Sequence, residues 1–244
     1  MKLIFICQLI TVLTFLKIIL NRTKTKIDFS VYHTTEQIQK IMNDLKSTCY
    51  PSLTETSADF IFPSENKIKY SNLKAYDVTM NNVNKSNSSN KLRNNKEEKV
   101  NIFILAGEHP RELISVEFIL NFVKYLCMGE RNEKYLNLVN SFNFRIIINA
   151  NPNSRELVEK GEYCRRTNLN FVDINRNWNI FWSNEAGSSE EYPGQSPFSE
   201  VETNFINRLI EKFNPKLFLT VHSGAYGLFM PYAYLKKEGK NLSN

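Results

Sequence analysis

Residues 102–112 read IFILAGEHPRE: an apolar run, a glycine, then a histidine and a glutamate three positions apart. The run predicts a buried strand through Leu105 into Ala106-Gly107. Pro110 predicts a helix starting at about that residue, because its missing N–H is no loss at a first helical position. Residues i and i+3 share one face of a helical turn, so the His109 imidazole and the Glu112 carboxylate can reach one ion. The chain has three histidines, His33, His109 and His222. The last of them closes a second apolar run, Leu217 to His222 (LFLTVH). Two histidines and a glutamate at two strand ends form a His₂Glu set, which leaves a fourth zinc position open for water or substrate. Taken alone, H-x-x-E is more often a surface pair at a helix start, so the rest of the chain must decide.

Upstream, Thr34 with Gln37 three residues on forms a capping-box signature. It opens an amphipathic helix with Ile38, Ile41, Met42 and Leu45 on one face. Ile61-Phe62 and Lys67 to Tyr76 read as short strands. Residues 81–99, NNVNKSNSSNKLRNNKEEK, are polar and of low complexity, an insert between two strands that rarely carries chemistry. Downstream, Leu113 to Met128 predicts a helix with Ile114, Phe118, Phe122, Tyr125 and Leu126 toward the core, stopped by Gly129. Phe142 to Ile148 is a second buried strand, leading into the turn-rich NANPNS. From Arg155 to Gln195 periodicity is weak, and a loop of that length in a compact domain is functional or disordered. Ser199 to Phe213 returns to helix, with Ser199 and Glu202 as a further capping box. Leu217 to Val221 is a third strand and Leu228 to Tyr234 a fourth. Alternating strands and helices predict an α/β fold with helices on both faces of the sheet. In such sheets the ligand site lies at strand ends, where His109 and His222 both sit.

The 244 residues leave room for one large domain or two small ones, and 42% hydrophobic residues suffice for a core. The formal charge of +6 is concentrated. Residues 1–26 carry five basic and no acidic side chains, and residues 81–99 have a basic excess, so the remainder is slightly acidic. No basic stripe suggests a nucleic-acid partner. The start, KLIFICQLITVLTFLKIIL, reads as a secretory signal peptide or signal anchor over residues 1–20, and residues 3–20 would hold an uncleaved chain at a membrane. Basic residues after the segment and the lack of a small-residue cleavage site weaken that reading. Sequons at Asn21, Asn84, Asn87 and Asn241 agree with secretion, although an asparagine-rich chain produces them by chance. Cys49, Cys127 and Cys164 follow the signal, an odd and sparse set that defines no disulfide framework.

Five segments taken together, GEHPREL, CRRTN, VDINRNW, PFSEVET and VHSGAYGLFMPY, resemble the zinc carboxypeptidase family, the M14 metallocarboxypeptidases. They occur in the family's order across Tyr32 to Tyr234, in wording closest to plant-type members. The resemblance implies a mixed, mostly parallel sheet of the phosphorylase/hydrolase-like kind, in residues 27–244 as the N-terminal part of a catalytic domain. It implies Zn²⁺ as cofactor, held by His109, Glu112 and His222, with Asp173 orienting the first histidine. Asn175 and Arg176 would hold the terminal carboxylate of a peptide or protein, and Arg165 would polarise the scissile carbonyl. The implied activity is release of C-terminal residues. The family's catalytic glutamate and transition-state tyrosine lie well beyond its second histidine, whereas the sequence runs only to Asn244. The expectation is therefore an incomplete peptidase domain. Two alternatives stand beside it: a non-catalytic protein that binds zinc and peptide C-termini, and a zinc amidohydrolase acting on N-acyl amino acids. Oligomeric state is not legible.

Overall fold

In the computed structural model, residues 27–49, 51–62, 70–80, 99–129, 132–185 and 188–230 are described. The signal segment and residues 81–98 of the insert lie outside them, as do Lys67 and residues 231–234. The chain divides into two units, residues 1–31 and 32–244. In the first, Asp28 closes a turn by accepting from Ser30 and Val31.

The second unit runs α1 (Thr35–Thr48), β1 (Ser52–Ser57), α2 (Ala58–Ile61), β2 (Lys74–Thr79), β3 (Val100–Ala106), α3 (Leu113–Met128), α4 (Glu133–Ser141), β4 (Phe142–Ile147), α5 (Pro152–Glu159), α6 (Val201–Phe213) and β5 (Leu217–Val221). Short 3₁₀ turns occupy Ile174–Arg176 and Ser189–Glu191. The five strands form one sheet in the order β1-β2-β4-β3-β5. The fold is the expected mixed α/β sheet, with parallel pairing of β3 to β4 and β5 and antiparallel pairing of β2 to β1 and β4.

β3 shows why the apolar run is continuous. Its side chains alternate between two cores, and both faces of the strand are covered. Ile102, Ile104 and Ala106 join Ile38, Met42 and Leu45 of α1 and Val116, Ile119, Leu120 and Val123 of α3. Phe103 and Leu105 meet Phe205, Ile206 and Leu209 of α6 on the other face. The Thr34–Gln37 capping box forms as expected, each side chain bonding the other's backbone N–H.

Several local expectations are corrected. Ile61 lies in the short helix α2, and the strand expected over Lys67 to Tyr76 begins only at Lys74 and continues to Thr79. The buried face of α3 is Val116, Ile119, Leu120, Val123 and Leu126, while Ile114, Phe118 and Tyr125 are exposed. Two helices were not foreseen: α4, capped by Asn132, and α5, whose Pro152 sits in the first turn just after NAN. α6 starts at Val201 without a side-chain cap, because the Ser199 hydroxyl bonds Glu200 and Asn177 instead. Residues 228–230 are not strand. Cys49 and Cys127, at the ends of α1 and α3, form a disulfide, leaving Cys164 free. Among the described residues no helix is long and apolar enough to cross a membrane.

Candidate metal centre

The site is made where β3 and β5 end side by side. They run parallel with Ala106 opposite Val221, so the residues that follow each strand emerge together. Gly107 then turns the chain at φ +72°, a conformation side chains rarely adopt, and a Cβ there would lie 3.0 Å from Asn149 Cα. Residues 109–112 do not start a helix. The Glu112 N–H donates to the His109 carbonyl at 3.0 Å, closing a turn in which Pro110 takes the position its fixed φ favours. Glu112 has ψ 65°, and α3 begins only at Leu113.

The turn sets His109 Nδ1 2.7 Å from Glu112 Oε1. From β5, His222 Nδ1 comes to 3.0 Å from Glu112 Oε2, and the Ser223 N–H donates to the same oxygen. One ligand atom from each of His109, Glu112 and His222 lies within 4.8 Å of the others, so the three can hold a metal ion. The third histidine, His33, is elsewhere, with Nδ1 2.8 Å from Glu117.

Each imidazole is also held on its other nitrogen. His109 Nε2 is 3.1 Å from Oδ1 of fully buried Asp173, and His222 Nε2 is 3.0 Å from Oε2 of Glu108. Asp173 accepts from the Asn175 N–H and, on its second oxygen, from the guanidinium of Arg166.

Burial disfavours the charged form of both histidines, but hydrogen bonds and neighbouring carboxylates outweigh it. His109 is raised by Asp173 and Glu112, and His222 is pushed up to about 10 by Glu108 and Glu112. Burial likewise opposes ionised Glu112, yet the two histidines and the Ser223 N–H hold it well below the usual carboxylate range. Asp173 is lowered against its own burial by His109 and Arg166. An enclosure that favours positive charge this strongly, with two nitrogens and a carboxylate converging, fits a dication such as zinc.

The zinc carboxypeptidase model, Peptidase_M14, matches residues 66–244. The chain belongs to the M14 zinc carboxypeptidase family. It is 26% identical over 234 residues to zinc carboxypeptidase A 1 of Anopheles gambiae, covering 91% of this chain and 49% of that protein. It is 26% identical over 172 residues to inactive metallocarboxypeptidase ECM14 of Paracoccidioides brasiliensis, covering 62% of this chain and 29% of that one. Its fold is similar to that of carboxypeptidase A from Helicoverpa armigera, with TM-score 0.63 and 19% identity, over 85% of this chain and 50% of that chain. The chain thus spans about half, or less, of the length of several curated relatives, the zinc carboxypeptidase A 1 proteins of Anopheles gambiae and Drosophila melanogaster and carboxypeptidase O of Bos taurus.

The two arginines of CRRTN take different partners. Arg165 donates to Glu162 and to the Asn168 carbonyl, and its guanidinium lies over the Phe171 ring. Its neighbour Arg166 is the one at the centre, with Nη1 3.4 Å from His109 Nδ1 and the rest of its fork on Asp173. Both line an open cavity of about 520 Å³ with Cys164, Phe171 and Glu190. In a consecutive Arg-Arg pair, only the backbone path decides which side chain faces inward. At the pair itself the Arg165 N–H donates to the Glu162 carbonyl, and just downstream Asn168 accepts the N–H groups of Asn170 and Val172 on one side-chain oxygen.

The Asn175-Arg176 pair follows Asp173 on a 3₁₀ turn that Asp173 caps, and Asp173 in turn touches His109. Arg176 is exposed and donates to Glu191, while Arg111, in the His109–Glu112 turn, forks onto Glu190 with both contacts at 3.1 Å. Asn177 was not singled out from the sequence, yet it anchors the loop. Fully buried, its side chain donates to Pro193 O, Ser196 O and Ser199 Oγ and accepts from Glu200 N and Thr203 Oγ1.

Proposed function

We propose that the whole protein is a zinc-dependent metallocarboxypeptidase that releases C-terminal residues from peptides or proteins. The observation that carries this reading is the convergence of His109, Glu112 and His222 on one point at the ends of two parallel strands. His109 and His222 would supply neutral Nδ1 atoms and Glu112 its carboxylate. Zinc held there would supply Lewis acidity toward the scissile carbonyl and toward water. Asp173, buried and on the far nitrogen, keeps the His109 ring oriented.

Arg166 takes the role first expected of Arg165, stabilising negative charge on the reacting carbonyl oxygen. Arg176, with Asn175 beside it, receives the free terminal carboxylate. Its planar fork meets both oxygens and stays charged, which would make the specificity exopeptidic. Glu191 is a carboxylate already on that fork, and an incoming peptide exchanges with it. The Cys49–Cys127 bond supports passage through an oxidising compartment, in keeping with an N-terminal secretory signal.

A second reading keeps the site and drops the chemistry: a binder of zinc and peptide C-termini. The resemblance to a relative named as inactive favours it. A third, an amidohydrolase of N-acyl amino acids, would use the same metal set. Turnover of the whole protein on blocked dipeptides, their C-terminal amides and N-acyl amino acids separates the three. The proposal expects hydrolysis of the free acids, little of the amides, and slower reaction of N-acyl amino acids. Tight binding of acids without turnover supports the second reading, and preference for N-acyl amino acids the third.

A further inference from the structure

The two histidines of the centre are held in matching ways, and Asp173 accounts for only one of them. The other carboxylate is Glu108, adjacent in sequence to the first histidine but paired with the second. Gly107, at φ +72°, turns the chain at the end of β3 immediately before Glu108 and His109. Glu108 is 2% exposed, a depth at which a carboxylate is rare without a partner. Its Oε2 lies 3.0 Å from His222 Nε2 and accepts the hydroxyl of Thr220. Its backbone carbonyl is fixed by Asn151 Nδ2.

We propose that Glu108 is a positioning residue for the metal centre. It holds His222 by Nε2 and so fixes the tautomer and ring orientation that present Nδ1 to the ion. This rests on the reading of His222 as a ligand. Nε2 and Nδ1 lie on different sides of the imidazole, so a carboxylate on Nε2 faces away from the point where His109, Glu112 and His222 converge. Glu108 therefore supports a ligand; it is not a fourth one, and it is not placed to take a proton from water at the ion. Thr220 sits beside them: its hydroxyl, 2.9 Å from the same Nε2, gives its proton to Glu108, so the anion that faces Nε2, directly at 3.0 Å and through this hydroxyl, is the Glu108 carboxylate. A metal-bound histidine commonly donates its second N–H to such a carboxylate, and losing that partner costs about 10–100-fold in metal affinity.

The test is zinc affinity of the whole protein by competition with a chromogenic chelator, together with the absorption spectrum of the cobalt-substituted form. Glu108→Ala is expected to weaken zinc binding by about 10–100-fold. Glu108→Gln, whose amide oxygen can still accept, is expected to weaken it less and to shift the cobalt bands. Thr220→Val is expected to cost less than Glu108→Ala. If Glu108→Ala does not fold, the isosteric Glu108→Gln decides. Zinc affinity and cobalt bands unchanged in both foldable Glu108 variants would overturn the proposal, as would a larger loss from Thr220→Val. His222→Ala is the companion measurement: undiminished zinc binding there would remove the ligand assignment itself, a failure distinct from that of Glu108.

Discussion

Arg166 lies 3.4 Å from His109 through Nη1, whereas Arg165, one residue earlier, turns to Glu162. The side chain that reaches the metal centre is thus the second of the pair. Removing a preorganised donor to a developing oxyanion costs about 10²–10³ in kcat. Arg166→Ala in the whole protein should lose turnover on that scale, with Arg165→Ala affected by less than about tenfold. Steady-state kinetics on one blocked dipeptide checks both, and the reverse ranking would return the role to Arg165.

Arg176 and Glu191 make the second prediction. Arg176→Ala should weaken binding of peptide-like carboxylates by about 2–5 kcal/mol, the usual loss for one partner of a buried charge pair, because bound substrate would cover the now exposed fork. Glu191→Gln frees the fork from a half-exposed ion pair worth at most about 1 kcal/mol. It should therefore lower KM by no more than about fivefold, with kcat unchanged. A raised KM in Glu191→Gln would mean that Glu191 itself contacts substrate.

The third prediction concerns the loop that carries these residues. Fully buried Asn177 has five side-chain hydrogen-bond partners, three of them sharing its two N–H donors, and so joins the VDINRNW turn to the start of α6. Asn177→Ala leaves buried donors and acceptors without partners, at about 1–3 kcal/mol for each group left unsatisfied. The expected outcome is a large drop in melting temperature, read by calorimetry. A variant within a degree of the wild type would show that the loop is held by other contacts.

The features that were legible in the sequence are those decided locally. The Thr34 box, the β3 and β5 runs and the H-x-x-E spacing depend on neighbours a few residues apart, and all three are present in the structure. α3 misled because it is apolar around most of its surface: Ile114, Phe118 and Tyr125 form as good a stripe as Val116, Ile119 and Val123. Only packing against β3 and α1 chooses between them. The Cys49–Cys127 bond joins residues 78 apart, a pairing that spacing cannot reveal. Glu108 could not be singled out locally, because its partner His222 arrives from a strand more than a hundred residues later. α5 announced itself only through Pro152.

A pH dependence follows from Glu55, bonded to Lys46 and Lys74 on the β1 side of the sheet. Burial raises its pKa, but the two lysines outweigh this and the net shift is downward from 4.5. A depressed carboxylate contributes stability in full above its unfolded value, and that contribution is lost as pH falls through the folded one. The chain should thus lose stability below about pH 4.5. Glu55→Gln should lower the melting temperature at pH 7 and narrow the gap between pH 7 and pH 3. An unchanged gap would mean that the lysines do not stabilise the carboxylate in solution.

The central claim is that His109, Glu112 and His222 hold one zinc ion, and metal content tests it most directly. Purified whole protein, dialysed against zinc and then against metal-free buffer, should retain about one zinc per chain by elemental analysis. His109→Ala and His222→Ala, folded by circular dichroism, should retain almost none. Zinc retained at the wild-type ratio in both variants would contradict the account.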